Sequence, residues 1–259
     1  MASLQEQVIE EFSSPLTQKL YCEKADSGLW GSEEVLIRNY FQPGSRVLDL
    51  GCGMGRVTMP LQRMGYQVTG IDITPLMIEN AEKISGAKKL KIPYLIMDAR
   101  KLKYKDASFD NIIFPFNGWS QIPNKNERFK VLREASRALK PGGYYIFTTT
   151  SRSLRMWFFW LKQIIKFGIL RPLGMRTVGI DFGDNFFHRE YAGERSRQKQ
   201  FMNFSSRSFV KKQIKAAGFR LIQSGYCDDI STESVPHWPD LPCAASPTFY
   251  VCQKPNTTK

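Results

Sequence analysis

The chain has 259 residues, 42% hydrophobic and 13% aromatic, enough apolar surface for a buried core, so a disordered chain is excluded. With 37 Lys and Arg against 24 Asp and Glu, the formal net charge is +13. That balance fits a soluble enzyme with a basic surface that attracts an anionic substrate, or else a nucleic-acid or membrane partner.

Cys22, Cys52, Cys227, Cys243 and Cys252 are scattered and include no C-x-x-C pair, so neither a zinc site nor a disulfide framework is indicated. No metal is expected. The first residues, MASLQEQVIEEF, are polar and acidic, unlike the basic start and apolar core of a secretory signal. A cytoplasmic protein with reduced thiols is therefore expected.

Val47–Leu50 is an apolar run and is predicted as a strand, followed by a helix over Met54–Met64. Gln67–Ile71 is the second strand. Thr74-Pro75 is a helix start, a threonine N-cap before a proline whose missing N–H costs nothing there, and that helix runs to about Ser85. Tyr94–Met97 and Asn111–Phe116 are strands three and four. Phe129, Leu132, Ala135 and Leu139 are apolar at helical spacing, and Lys140-Pro141-Gly142-Gly143 closes that helix with a turn. Tyr144–Thr149 is strand five.

Beyond Thr150 the alternation breaks. Leu154–Leu170 is aromatic and basic, and Asp181–Met202 has no clear period. Ser205–Gly218 is predicted as a helix, Arg220–Tyr226 and Pro247–Val251 as strands. Short strands alternating with helices imply βαβ units and a parallel sheet covered on both faces. Charge is uneven too: Ala135 to Ile180 contains no Asp or Glu, yet it holds Arg137, Lys140, Arg152, Arg155, Lys162, Lys166, Arg171 and Arg176.

The loop Gly51-Cys52-Gly53-Met54-Gly55 joins the first strand to its helix. A dinucleotide fingerprint is G-x-G-x-x-G, and here the third glycine comes one residue early. Asp49 also stands at the strand end just before the loop. A carboxylate there repels a pyrophosphate but suits a ligand with an ammonium or sulfonium group. Asp72 follows Gly51 by 21 residues, at the end of strand two, where a carboxylate can accept from both ribose hydroxyls.

VLDLGCGMGRVT resembles the first motif of class I S-adenosylmethionine (SAM)-dependent methyltransferases, in the small-molecule, methyltransferase-11/25-like branch. VTGID, LIMDARKL, FDNIIFPFNGWSQI and LREASRALKPGGYYIFTT resemble the family's later motifs in order. The resemblance is close over residues 44–150 and looser beyond. It implies a doubly wound, Rossmann-like seven-stranded α/β sheet, order 3-2-1-4-5-7-6, with strand 7 antiparallel. It also implies SAM as cofactor.

The cofactor residues carried over by the resemblance are Asp49, Gly51, Cys52, Gly53 and Gly55 of the loop, and Asp72 and Ile73 at the ribose. Met97, Asp98 and Ala99 are carried over at the adenine, Phe114 and Phe116 near the reactive methyl. Tyr21 and Trp30, in an N-terminal cover over residues 1–43, are candidates to pack on the sulfonium, since aromatic faces attract cations. Ordinary packing of an N-terminal helix is the alternative.

The whole chain is expected to be one catalytic domain, with a lid or substrate cap over 151–203. If helical, Leu154–Leu170 places Arg155, Lys162 and Lys166 on one face, with Trp157, Trp160, Leu161 and Ile164 largely opposite. A lid is favoured there; an interfacial membrane helix or a dimer contact is the alternative, and the run is too short and charged to span a bilayer.

Methyl transfer displaces a neutral thioether in line, so positioning supplies much of the catalysis. A base is needed only if the acceptor must lose a proton. The catalytic candidates are Asn117 after strand four, whose position faces the methyl group in the resembled family, His188 as a base or substrate hydrogen bonder, and Tyr191, against a turn residue for Asn117 and a structural histidine for His188; His237 in a proline-bounded loop is a weaker one. FPFN departs from the [DN]-P-P-[YF] of enzymes that methylate exocyclic amines, which argues against a nucleic-acid substrate.

Methyl transfer to a small molecule is the expected function. The same motifs also serve aminocarboxypropyl transfer, or a cyclisation releasing methylthioadenosine. A noncatalytic membrane- or RNA-binding protein on this fold is the remaining alternative.

Overall fold

The computed structural model describes residues 3–151, 157–175, 181–231 and 247–256; Arg152, Arg155, Arg176, His237 and Cys243 lie outside them. The N-terminal cover is helical: α1 (Leu4–Phe12), α2 (Pro15–Lys24) and α3 (Gly31–Tyr40). Ser3 starts α1 with a capping box, its Oγ accepting from the Glu6 N–H while the Glu6 carboxylate accepts from the Ser3 N–H.

The sheet strands are β1 (Arg46–Leu50), β2 (Gln67–Asp72), β3 (Tyr94–Ile96), β4 (Phe109–Phe114) and β5 (Leu139–Thr149). α4 (Thr58–Arg63), α5 (Pro75–Ala87) and α6 (Lys125–Ala138) connect them. After β5 come α7 (Trp157–Ile165), a hairpin of β6 (Asp184–Tyr191) and β7 (Glu194–Asn203), α8 (Arg207–Ala216), β8 (Arg220–Tyr226), α9 (Cys227–Ile230) and β9 (Thr248–Gln253).

The seven-stranded sheet has the order β3-β2-β1-β4-β5-β9-β8. β1 to β5 are parallel, and β9 runs antiparallel to both β5 and β8. With sheet strands numbered among themselves this is 3-2-1-4-5-7-6 with the seventh antiparallel, as the family resemblance implies.

Both faces are buried because consecutive residues of the central strands point to opposite sides. Leu48, Ile112, Tyr145, Phe147 and Tyr250 pack with α6 and α8 through Val131, Leu132, Val210 and Ile214. Val47, Ile113, Ile146, Phe249 and Val251 pack with α3 through Leu36 and Ile37.

Three local expectations are corrected. The helix predicted from Met54 begins at Thr58, because Gly51, Gly53 and Gly55 hold φ of 60°, 53° and 89° and keep the chain out of the helical region. β5 begins at Leu139 rather than Tyr144: Lys140–Gly143 continue along the edge of β4 through a register shift. Gly143 is required there, as a Cβ would lie 2.4 Å from the Asp110 carbonyl oxygen. Asp181–Met202, without period in sequence, contains the hairpin β6–β7. Its two-residue turn is Ala192-Gly193, both at positive φ. Asn-Gly or Asp-Gly would have signalled that turn; alanine does not.

The hairpin clasps the cover. Arg189 of β6 donates to Glu11 of α1 at 3.0 Å, both buried, and the same Glu11 oxygen accepts from Thr17 Oγ1 at 2.8 Å. Tyr191 donates to Glu23, and Lys19 lies 3.7 Å from Glu194. Removing one member of a buried ion pair strands the other charge in a low dielectric. Arg189→Ala is expected to lose about 3–5 kcal/mol in urea denaturation. The double replacement Glu11→Leu with Arg189→Met, which strands no charge, is expected to lose far less.

Candidate active site

β1 and β4 are adjacent in the sheet, but their crossovers leave in opposite directions, and a crevice opens at their C-terminal ends. A cleft of about 1170 Å3, its mouth included, occupies that position. Its floor is the glycine loop after β1. One wall is Asp72-Ile73-Thr74 after β2 and Met97–Arg100 after β3; the other is Phe114–Phe116 and Gly118 after β4. The roof is α1 and α2, through Gln5, Val8, Ile9, Phe12 and Tyr21.

The loop brings backbone close to the cleft because its glycines lack side chains. A Cβ on Gly51 would stand 2.7 Å from the Phe114 ring, and one on Gly53 3.4 Å from Tyr21, and both residues sit at positive φ. Asp49 is fully buried beneath the loop. Its Oδ2 accepts from Thr58 Oγ1 at 3.1 Å, while Oδ1 is a buried oxygen with no hydrogen-bond partner. Burial pushes its pKa up to about 8, against the pull of Thr58 and Arg56. An unpaired carboxyl lining a cleft is a receptor for a cation.

Asp72 is held for a second set of partners. It accepts from the Gly53 N–H at 3.0 Å and the Thr74 N–H at 2.8 Å, one bond to each oxygen. Each carboxylate oxygen retains a lone pair for a diol. Burial raises its pKa, and those backbone bonds oppose the rise. Asp98 is different. Arg100 grips it from Nε at 3.0 Å and from Nη2 at 2.6 Å, and also reaches Glu127 at 3.0 Å and Gln5 of α1. Burial works against the charge on Asp98, but the Arg100 bonds outweigh it and hold the pKa low.

Arg56, directly after the third glycine, locks the cover to the loop. It forms a bidentate pair with the buried Glu33 of α3 at 2.7 and 2.8 Å and donates to the Gly28 carbonyl at 2.8 Å. Its guanidinium lies 5.0 Å from the Trp30 ring centroid and 5.5 Å from that of Phe116.

Of the residues expected to hold the cofactor, Tyr21, Asp49, Gly51, Cys52, Gly53, Asp72, Ile73, Met97, Asp98, Ala99, Phe114 and Phe116 line this one cleft. Trp30 and Gly55 do not. Trp30 is buried between Arg56 and Phe116, and Gly55 leaves room for Tyr94, whose hydroxyl would lie 2.5 Å from a Cβ there. The catalytic candidates also fall outside the lining. Asn117 is buried with φ of 59°, its N–H donating to Thr148 Oγ1 at 2.6 Å, the turn conformation weighed as its alternative. His188 Nδ1 lies 2.8 Å from the Ser196 carbonyl across the hairpin, and Tyr191 is bonded to Glu23. No described residue from 157 to 203 lines the cleft.

Sequence reasoning missed Gln5, Val8, Ile9 and Phe12, and also Arg56, Arg100 and Gln121 to Pro123. The apolar spacing of Val8, Ile9 and Phe12 on one helix face was the available signal for the roof.

A parallel sheet with this switch point, a carboxyl below a glycine loop and a second carboxyl after the next strand define a Rossmann-like fold for an adenosyl ligand carrying a cation. A family model described as a methyltransferase domain matches residues 47–143. A demethylmenaquinone methyltransferase of Staphylococcus aureus (strain JH9) is 30% identical over 182 residues, 68% of each chain. A putative methyltransferase of Bacillus subtilis (strain 168), YqeM, is 32% identical over 107 residues, 41% of this chain; the chain spans 42% of that relative's length. In fold, the chain resembles a SAM-dependent methyltransferase of Methanosarcina mazei, with a TM-score of 0.69 at 21% identity, covering 88% of this chain and 99% of the other. The chain belongs to the class I SAM-dependent methyltransferases, whose cofactor is SAM.

The residues present fit that cofactor. The unpartnered Asp49 oxygen would suit an ammonium, the free lone pairs of Asp72 would suit a ribose diol, and the glycines leave room for close approach. The raised pKa of Asp49 also has a stability consequence. Its folded pKa, about 8, lies above the ordinary carboxylate value. The folded chain therefore binds the extra proton, and stability falls as pH rises toward 8. In the ligand-free protein, Asp49→Asn is expected to remove a downward slope of up to about 1.4 kcal/mol per pH unit between pH 5 and 8. Urea melts of both proteins across that range are the check.

Proposed function

We propose that the chain transfers a methyl group from SAM to a small-molecule acceptor with a largely apolar body, working as one catalytic domain whose residues 1–43 cover the cofactor. The observation that carries this is the unpartnered, buried carboxyl oxygen of Asp49 in a cleft whose lining also includes the apolar Val8, Ile9, Phe12, Phe114, Phe116 and Ile122.

When bound, the cofactor supplies a methyl on a sulfonium, which an acceptor displaces in line. In the proposed roles, Asp49 neutralises an ammonium and Asp72 holds the ribose hydroxyls. Met97 and Ala99 flank the adenine, and Phe114 and Phe116 stand near the reactive methyl. Tyr21 presents its ring beside the glycine loop, and burial pushes its pKa up to about 12, so at neutral pH its phenol stays protonated. It serves as a wall and a hydrogen-bond donor rather than a base. An acceptor whose attacking atom is already anionic or carries a free lone pair, such as a phenolate, an enolate or a neutral amine, needs no base at Tyr21. An apolar ring acceptor also agrees with the quinone named for the Staphylococcus relative. The segment 151–203, proposed as a cap, acts through its clasp on α1 and α2, the elements that roof the cleft.

The described residues contain no helix long and apolar enough to cross a membrane. The chain is proposed to act in the cytoplasm.

Product analysis is the central test. Incubation with SAM and a panel of small phenolic, enolic and amine acceptors is expected to release S-adenosylhomocysteine. Methylthioadenosine as the sole nucleoside product would reject methyl transfer in favour of aminocarboxypropyl transfer or cyclisation. Asp72→Ala is expected to weaken S-adenosylhomocysteine binding at least tenfold by calorimetry.

Protonated Asp49 must ionise to receive an ammonium. Binding below pH 8 is therefore expected to release up to one proton, seen as a dependence of the heat on buffer ionisation enthalpy. That release should vanish above about pH 9 and in Asp49→Asn.

A further inference from the structure

The helix α7 and the π-helical turn Lys166–Leu170 that continues it have two apolar faces. The inner face packs against the protein. Phe159 packs edge-on to Phe204, Trp160 stacks on Phe182, and Phe167 tilts against Phe182. Gln163, buried among them, donates to the Asp184 carbonyl at 3.0 Å and accepts from the Gly183 N–H at 3.1 Å. This pins α7 against the start of the β6–β7 hairpin.

The outer face is apolar as well, and it is exposed. Trp157 is 57% exposed, Phe158 61%, Leu161 46% and Ile164 57%, and Ile169 and Leu173 continue the patch at 53% and 72%. Trp157, Leu161, Ile164 and Ile165 follow the i, i+4, i+7, i+8 spacing of one helix face, so these exposures form a stripe rather than scattered residues. The exposed Lys162 and, four residues on, Lys166 run along its edge, and Arg171 lies 4.5 Å from the Phe167 ring centroid at its end. The nearest acids in sequence are Glu134 and Asp181.

We propose that this face is a docking surface for a bilayer carrying anionic lipid, with α7 lying in the interface plane. Its apolar stripe enters the boundary between headgroups and acyl chains, and Lys162, Lys166 and Arg171 meet the lipid phosphates. Charge decides the occupant. A twofold contact with a second copy would set the basic residues at the stripe's edge, Lys162 above all, against their own like charges. Closure over the cleft would need the inner-face anchors at Phe159, Trp160 and Gln163 to break. An anionic surface that is apolar just beneath matches both the stripe and its basic edge. β5 is parallel to β1 and β4, so the segment carrying α7 leaves the sheet at the end where the cleft opens. This inference stands apart from the chemistry proposed for the cleft.

The test is flotation of the full chain with vesicles of phosphatidylcholine alone and with phosphatidylglycerol added at three parts in ten, alongside light-scattering measurement of mass. The wild-type chain is expected to float at least tenfold more with the anionic vesicles, and less as salt is raised. Leu161→Ser with Ile164→Ser, both at exposed positions, is expected to lose that binding at least tenfold with an unchanged melting curve. Lys162→Glu should lose it several-fold and flatten the salt dependence. Equal flotation of wild type and the double variant, or no flotation with either vesicle, would overturn the proposal. So would a wild-type dimer that the double variant converts to monomer without any vesicle binding. Binding to single-stranded RNA in place of vesicles would do the same.

Discussion

Asp49 is a carboxyl group placed where water does not reach, with one oxygen held by Thr58 and the other left without a partner. Such a group is expensive in a folded chain, and burial accordingly moves its pKa to about 8. The surroundings make sense as the housing of that group. β1 delivers it to the sheet's switch point, and the left-handed glycines turn the chain away from it so that its unpaired side lines a cleft. Arg56 stands close enough to favour its charge, but Glu33 takes the guanidinium's bidentate face. The result is a negative site that is weak without a ligand and strong when a cation arrives.

The roof over that site belongs to the first helices of the chain, and three separate devices hold it. Arg56 ties α3 and the Gly28 carbonyl to the loop from below. Arg100 ties Gln5 of α1 to Asp98 at the adenine side. Arg189 ties Glu11 of α1 to the hairpin. All three are arginines, whose planar forks span two partners at once. The segment after β5, read in sequence as a cap, contributes nothing to the cleft lining through its described residues and instead braces the elements that do. The described residues of that segment bear on the cleft through α1 and α2, and also through β7, which packs on the turn Gly118–Gln121 that supplies Gly118 and Gln121 to the lining.

The uneven charge of the chain has a structural counterpart. The acid-free stretch from Ala135 to Ile180 includes all of β5, mostly buried, and α7, whose outer face is exposed. In α7 the basic residues border an apolar stripe instead of covering the protein at large. A chain-wide charge of +13 therefore says little by itself; its concentration beside exposed Trp157, Leu161 and Ile164 gives it a direction.

Composition, periodicity and spacing were enough to determine a parallel α/β sheet; the family resemblance implied its strand order and named most of the residues proposed for the cofactor, which line one cleft. The reason is that these signals are local. Glycines needed at positive φ, an acid at a strand end and apolar runs of strand length all follow from a few consecutive residues. What only the tertiary structure decided was non-local. Trp30 became packing for Arg56 because α3 docks on the loop, and Asn117 became a buried left-handed turn because Thr148 of the neighbouring strand takes its N–H. His188 and Tyr191 went to a hairpin whose Ala192-Gly193 turn carries no strong sequence signal. The roof helix α1 is tied over the cleft by Arg189 and Arg100 among other contacts, partners 178 and 95 residues away along the chain. Contacts across such separations depend on how the whole chain closes, and no window of sequence contains them.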